Sequence, residues 1–295
     1  MAKTKPSAEA AQYIRRVSIV LDRLNGFAMG GKQDDDEVKE VIAALYSGVA
    51  ATWTLGELWN WGLNDPEIHQ QIELLVPGYA NFGTDGFSEQ LYYYTLRAVP
   101  MAAEDFQDKH VLEVGSGVGG GLNFLSRLVG GATFTGVDLS PGAVDRANGS
   151  FSRGDRLRFV CGDAESLPFE DDSFDVVINV ESSHNYPNLP GFFSEVARVL
   201  RPGGHLSVVD IFTDYRTKLF EEAKSDCPRL KWTAENDISE LVRPAIRERM
   251  APESYMNKQF AKQRMPLLHR VVGKHCWMAA SGAKVLMLRC VEYAR

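Results

Sequence analysis

The stretch Val111–Gly121 reads Val-Leu-Glu-Val-Gly-Ser-Gly-Val-Gly-Gly-Gly and holds the first residues whose spacing could do chemistry. Val111, Leu112 and Val114 predict a short strand, and Leu122, Phe124, Leu125 and Leu128 place an apolar stripe on the helix that follows. Strand, glycine turn and helix open a nucleotide-binding unit, because the turn is tight and a ligand approaches its backbone closely. The free N–H groups at the helix start then face that ligand. Two classes of ligand fit. Gly115, Gly117 and Gly120 satisfy G-x-G-x-x-G, the dinucleotide pattern. Gly115, Gly117 and Gly119 satisfy a second pattern, with Glu113 two residues ahead. A carboxylate at that point repels a pyrophosphate at short range and suits a ligand with an ammonium or sulfonium group.

The second cluster is Asn179-Val180-Glu181-Ser182-Ser183-His184-Asn185-Tyr186-Pro187, an acid, a histidine, amides and a phenol just after an expected strand over Phe174–Asn179. In open α/β folds this carboxyl edge of the sheet is where ligands bind. His184 is the candidate general base, since an unperturbed imidazole titrates near ~6.5. A structural, pocket-lining histidine is the plain alternative. Glu181 is the candidate to orient the histidine or hold a substrate.

The elements between these clusters follow in order. Thr133–Asp138 reads as a second strand ending in an acid, and Asp138 lies where a carboxylate meets a ribose diol. Leu157–Cys161 is a third strand, followed by Gly162-Asp163-Ala164-Glu165-Ser166-Leu167-Pro168-Phe169. Leu200-Arg201-Pro202-Gly203-Gly204 precedes a fifth strand, His205–Ile211. Over residues 105–212 this ordered set resembles the class I S-adenosylmethionine (SAM)-dependent methyltransferases. The resemblance implies SAM as cofactor and S-adenosylhomocysteine (SAH) as product. It implies Glu113, Gly115, Ser116, Gly117 and Gly119 in the first motif and Asp138 with Leu139 at the ribose. Gly162, Asp163 and Ala164 then hold the adenine, and Asn179 is a further cofactor-binding residue. The loop Val180–Pro187 resembles that of phthiotriol-type lipid O-methyltransferases, worded Val-Glu-Ala-Ser-His-x-Tyr-Pro. It is similar, more loosely, to sterol C-methyltransferases and tocopherol methyltransferases. The implied activity is methyl transfer to a hydrophobic, aromatic or polycyclic small molecule in secondary or lipid metabolism, at a hydroxyl first and at carbon or nitrogen second. A SAM-binding cyclase or scaffold is the alternative of another class, and a nicotinamide-dependent oxidoreductase a third.

These residues must be positioned by an α/β fold, a Rossmann-like seven-stranded sheet with helices on both faces. The expected organisation is an N-terminal helical extension and lid over 1–100 and a SAM-binding core over 101–212. A helical substrate cap over 213–274 and C-terminal strands over 275–295 complete it. The extension contains a helical stripe over Ala8–Leu24, an aromatic segment with Trp53, Trp59 and Trp61, and a helix over Ser88–Ala98. Its adjacent Tyr92, Tyr93 and Tyr94 cannot share one face, so at least one points away from the core. The expected cap carries 13 Lys/Arg against 9 Asp/Glu and reads as helices around 215–224, 234–250 and 255–272; oligomerisation is its alternative use.

The chain has 295 residues, 44% hydrophobic and 24% charged, the balance of a globular protein with a sizeable core. A net charge of −7 argues against nucleic-acid binding. No apolar run approaches ~18 residues and no secretory h-region is visible, so stable membrane insertion is not expected and a cytoplasmic setting is. Cys161, Cys227, Cys276 and Cys290 form no C-x-x-C pair, and no metal site is expected. The acidic run Asp34–Glu37 reads as a solvated helix start.

Overall fold

The computed structural model describes residues 26–31, 33–52, 59–81, 84–262 and 284–292. The expected helix over 8–24, Trp53, Phe82, Gly83, His269, His275 and the expected helical stretch beyond residue 262 lie outside them.

Strands β1 (His110–Val114), β2 (Thr133–Asp138), β3 (Leu157–Cys161), β4 (Phe174–Val180) and β5 (Leu200–Phe212) run parallel. Strand β7 (Lys284–Glu292) enters antiparallel between β5 and β6 (Leu230–Asp237), and the sheet order is 3-2-1-4-5-7-6. The order reverses between β1 and β4. Chains leaving these two strands diverge to opposite faces and open a crevice at their carboxyl ends.

Alternation along the strands builds two cores, one on each face. Val111, Val176 and Ile178 pack against α3 (Phe87–Arg97) and α4 (Gly120–Leu128) through Leu91, Leu122 and Leu125. Leu112, Val114 and Val177 face the other way, against Phe192, Phe193 and Val196 of α6 (Leu189–Val199). The Rossmann-like α/β architecture expected of residues 105–212 is therefore present.

Around this core, α1 (Asp35–Thr52) crosses the carboxyl edge and lies on α5 (Pro141–Phe151), tied by Ser47 to Ser140 (2.8 Å) and by Arg146 to the Ala50 carbonyl (3.1 Å). Its acidic start behaves as a cap: Asp34 Oδ1 accepts from the N–H groups of Asp36 and Glu37, 3.1 Å each. Helix α2 (Pro66–Leu75) follows, capped by Asp65.

The segment expected as an all-helical cap over 213–274 differs. It begins with α7 (Asp214–Asp226) and contains α8 (Ser239–Met250) and α9 (Tyr255–Lys262), but β6 lies between α7 and α8 and joins the sheet. Ala234–Asp237, read as the start of a helix, is strand. Leu230, Trp232 and Ala234 alternate with polar neighbours, and pairing with β7, some fifty residues later, turns that period of two into structure. No helix of the described residues is long and apolar enough to cross a membrane.

Candidate functional site

A cavity of about 880 Å³, counted with its open mouth, lies at the carboxyl ends of β1, β2 and β4 under α1. The glycine turn forms its floor. Gly115 has φ +78° and touches Ser182 so closely that a Cβ would fall on that side chain, so only glycine lets β1 and the post-β4 loop meet. Gly119 caps α4 with φ +83°, where a Cβ would stand 2.6 Å from Phe159.

Of the residues expected at the cofactor, Gly115, Ser116 and Gly117 line this cavity, as do Asp138, Leu139 and the adenine-loop residues Gly162, Asp163 and Ala164. Asp138 also shapes the floor. Its carboxylate accepts from the Gly117 N–H (2.8 Å) and the Ser140 N–H (2.9 Å), bonds that hold its pKa down against the larger upward push of burial.

Glu113 and Asn179 stand behind the wall. Glu113 is fully buried, accepts from the Tyr92 hydroxyl at 2.7 Å through Oε1, and has no partner at Oε2. Burial pushes its carboxyl up to about 8. Asn179 donates to the Val114 carbonyl (2.9 Å) and to Tyr186 Oη (3.1 Å), and its Oδ1 accepts from the Ser183 N–H (3.2 Å). It locks the ends of β1 and β4 to the loop that carries the second cluster.

That loop turns at Glu181, which adopts φ +47°, an uncommon backbone for a residue with a side chain. Its N–H donates to the Val209 carbonyl at 2.7 Å. Its Oε2 accepts from the Trp61 N–H at 2.9 Å, while Oε1 is buried without a partner beside the cavity. Burial raises this carboxyl to about 8, with Asp210 adding to the rise and the Trp61 N–H, His184 and Arg249 opposing it. His184 follows on a single 3-10 turn, Ser183–Asn185. Its Nδ1 meets Asp210 Oδ1 at 2.6 Å and its Nε2 meets Asn185 Nδ2 at 2.9 Å. Burial disfavours the charged ring, but Asp210 outweighs it and the pKa is raised. Asn185 lines the cavity, and His184 itself does not.

Several further residues form the wall; Trp59 and Tyr92 belong to the aromatic segment and the tyrosine triplet singled out in the sequence, whereas Lys39 carried no local signal. Lys39 of α1 reaches Asp163 (2.8 Å) and Glu165 (2.5 Å), spanning the mouth of the adenine loop. Trp59 stacks on Tyr46 with ring centroids 5.8 Å apart and covers Gly117. Tyr92 also lines the cavity; it is the one of the three adjacent tyrosines that is buried in the apolar core, and Tyr93 and Tyr94 are the two that are only partly buried. Asp210, a buried acid at the end of β5, was visible only as an odd polar residue in an apolar strand.

The site fits the cofactor that the motifs imply. The glycine floor leaves room against the backbone, Asp138 stands at the edge of β2, and Ser116 Oγ and Glu181 Oε1 are buried without partners. Among the described residues no group of three or more His, Cys, Asp or Glu is arranged to hold a metal ion.

Comparison with known proteins gives a consistent picture. Residues 112–208 match the family model described as "Methyltransferase domain". The probable phthiotriol/phenolphthiotriol dimycocerosates methyltransferase 2 of Mycobacterium ulcerans is 40% identical over 253 residues, covering 81% of this chain and 93% of that protein. The phthiotriol/phenolphthiotriol dimycocerosates methyltransferase of Mycobacterium leprae is 36% identical over 62% of this chain and 64% of its own length. The fatty-acid O-methyltransferase of Mycolicibacterium smegmatis is 41% identical over 58% and 61%. In these last two the match spans less than two thirds of the relative. Among solved structures, the [4+2]-cyclase SpnF superposes with a TM-score of 0.67 at 17% identity, covering 87% of this chain and 97% of that one. A geranyl diphosphate methyltransferase in complex with GPP and sinefungin gives 0.63 at 16%, covering 86% and 98%. At such identities the likeness is one of fold.

Proposed function

Because the chain belongs to this methyltransferase family, we propose that it uses SAM to methylate a hydroxyl group of a hydrophobic, lipid-like acceptor. The observation that carries the proposal is the cavity itself, whose lining combines the glycine floor with Asp138, Asp163 and Glu181, the last with one unpartnered carboxylate oxygen. SAM, when bound, supplies a methyl group on a sulfonium, and attack by the acceptor oxygen forms the O–C bond as the C–S bond breaks to leave neutral SAH. The chain's residues do the rest. Asp138 and Asp163 hold hydrogen-bond donors, and the loop fixes the direction of attack.

The hydroxyl proton must go to a base. Glu181 is the better placed of the two candidates, since it lines the cavity, as His184 does not, and its Oε1 has no hydrogen-bond partner. His184 keeps its proton to higher pH beside Asp210, and its Nε2 is engaged by Asn185, so it serves chiefly to hold the loop and the charge around Glu181. Helix α1, the 59–65 segment and α8 are proposed as the acceptor's cover. Relatives named for phthiotriols and for fatty acids support a lipid acceptor. Methylation at carbon or nitrogen is the second reading.

Two assays test this. Calorimetry should show SAH binding and no NAD binding. Labelled methyl from SAM should then reach cetyl alcohol, with palmitic acid run beside it. SAH binding with no label in either acceptor, or in extracted mycobacterial-type lipids, would point to a non-methylating SAM protein. Transfer to palmitic acid alone would replace the hydroxyl acceptor by a carboxylate.

A further inference from the structure

Residues 60–64 form a strap beside the site, with Asn60 in the cavity wall. Leu63 N–H donates to the Phe87 carbonyl of α3 (2.9 Å), and Asn64 N–H to the Leu241 carbonyl of α8 (3.0 Å). The strongest hold is Arg249, at the far end of α8 and only 4% exposed. Its guanidinium takes Asp85 through both arms, Nε to Oδ2 at 2.7 Å and Nη2 to Oδ1 at 2.5 Å. Nη1 donates to the Asn60 carbonyl at 2.5 Å, and Nη2 also donates to Ser88 Oγ at 2.8 Å. A rigid planar fork suits this three-point grip, and a lysine cannot reproduce it.

The gripped peptide leads directly to the reacting group. Arg249 holds the carbonyl of Asn60; the next N–H in the chain, that of Trp61, donates to Glu181 Oε2. With Oε2 so engaged, Oε1 is the carboxylate oxygen left without a partner, on a residue that lines the cavity. The Asn60 side chain lies in the same wall with neither its oxygen nor its nitrogen partnered. We propose that Arg249 is a positioning residue for the reaction: it clamps the strap that keeps the Trp61 N–H on Glu181 and thereby sets both the direction and the basicity of the free carboxylate oxygen. The role in catalysis rests on the methyltransferase reading above; the clamp itself does not.

The sign of the effect follows from the contacts. A hydrogen bond to the charged form favours it, so loosening the strap disfavours ionised Glu181 and raises its pKa. The other titratable or charged groups around Glu181 are His184 on its own loop, Asp210 from β5, Tyr92 from α3 and Arg249 itself from α8. Arg249 also acts through its charge, and Arg249→Lys separates the two effects because it keeps the charge and loses the fork.

The experiment is a carbon-13 NMR titration of the side-chain carboxyls in protein labelled at glutamate, with the Glu181 signal identified by its loss in Glu181→Gln. Wild type, Arg249→Lys, Arg249→Met and Asp85→Asn are compared, the last retaining Arg249 while weakening its anchor. Asp85→Asn and Arg249→Lys keep the question answerable if Arg249→Met does not fold. The Glu181 midpoint should rise by about half a pH unit or more in both Arg249→Lys and Asp85→Asn. In the pH profile of methyl transfer the acidic limb should rise with it. An unchanged midpoint in folded Arg249→Lys and Asp85→Asn would overturn the clamp. So would a shift confined to Arg249→Met, since charge alone would then account for it. If wild type methylates no acceptor, the methyltransferase reading fails, while the titration still decides the clamp.

Discussion

Tyr92→Phe removes one oxygen from beneath the glycine turn and leaves the ring in place. The lost hydroxyl is the donor to Glu113 Oε1 at 2.7 Å, and Oε2 has no partner to compensate. Glu113 has its carboxyl raised by burial from 4.5 to about 8. Below about pH 6 it is therefore neutral in the folded protein, and losing a neutral hydrogen bond costs about 1 kcal/mol. Above about pH 9 it is ionised, and losing a donor to a buried charge costs roughly 2–3 kcal/mol. The destabilisation should thus grow by about 1–2 kcal/mol from the lower pH to the higher. Urea denaturation followed by circular dichroism at the two pH values measures it. Wild type supplies the control, with its own sign. Because the folded pKa lies above the unfolded one, the folded state holds a proton that the unfolded state releases, and stability falls as pH rises from about 5 to 8. Glu89, raised to about 7, and Glu181, raised to about 8, act in the same sense. A Tyr92→Phe cost that is equal at both pH values would refute the reasoning, because Glu113 would then not change charge in that window.

Asp138→Ala removes the acceptor of the Gly117 and Ser140 N–H bonds and the expected ribose contact, and should weaken SAH binding by about 1–3 kcal/mol in calorimetry. Lys39→Met should change SAH affinity by less than about 1 kcal/mol, since Lys39 and Asp163 are both partly exposed; a larger loss would make α1 part of the cofactor site proper. In pH–rate profiles, wild-type turnover should fall as pH drops below about 8, where Glu181 takes up its proton. Glu181→Gln should lose roughly 10²–10⁴-fold in kcat with SAH affinity retained, and His184→Ala less. The reverse ranking would return the base to His184. Turnover should survive exhaustive chelation; activity that is lost and then restored by magnesium would establish a metal-assisted reaction.

How far the site was legible depended on where each residue's partners lie. Gly115, Ser116 and Gly117, the acid at 138 and the loop at 162–164 belong to single strand-turn units, in which spacing along the chain fixes spacing in space. They could be named in advance, and they line the cavity. Glu113 was picked out by the same motif, but its side chain points to Tyr92 rather than into the cavity, because the pleat of β1 places successive residues on opposite faces. Glu181 and His184 were found as types in a suggestive loop. The difference between them is the hydrogen bonding of each, Trp61 on one and Asp210 with Asn185 on the other, and Asp210 and Trp61 come from elsewhere in the chain.

By itself, then, the sequence determined the parallel core, its glycine turn and the acids at the strand ends, since strand pattern, tight turns and local spacing are short-range properties of the chain. It misplaced Ala234–Asp237 because period two and helical spacing are hard to separate over so few residues until β7 arrives to pair with them. Lys39 over Asp163, the Tyr92 bond to Glu113, the Asp210–His184 pair and the Arg249 grip on Asn60 were decided only by tertiary structure. The Arg249–Asn60 contact joins residues 189 positions apart. No periodicity reaches across such a separation, and only the packing of α8 and the strap against the finished sheet brings the two together.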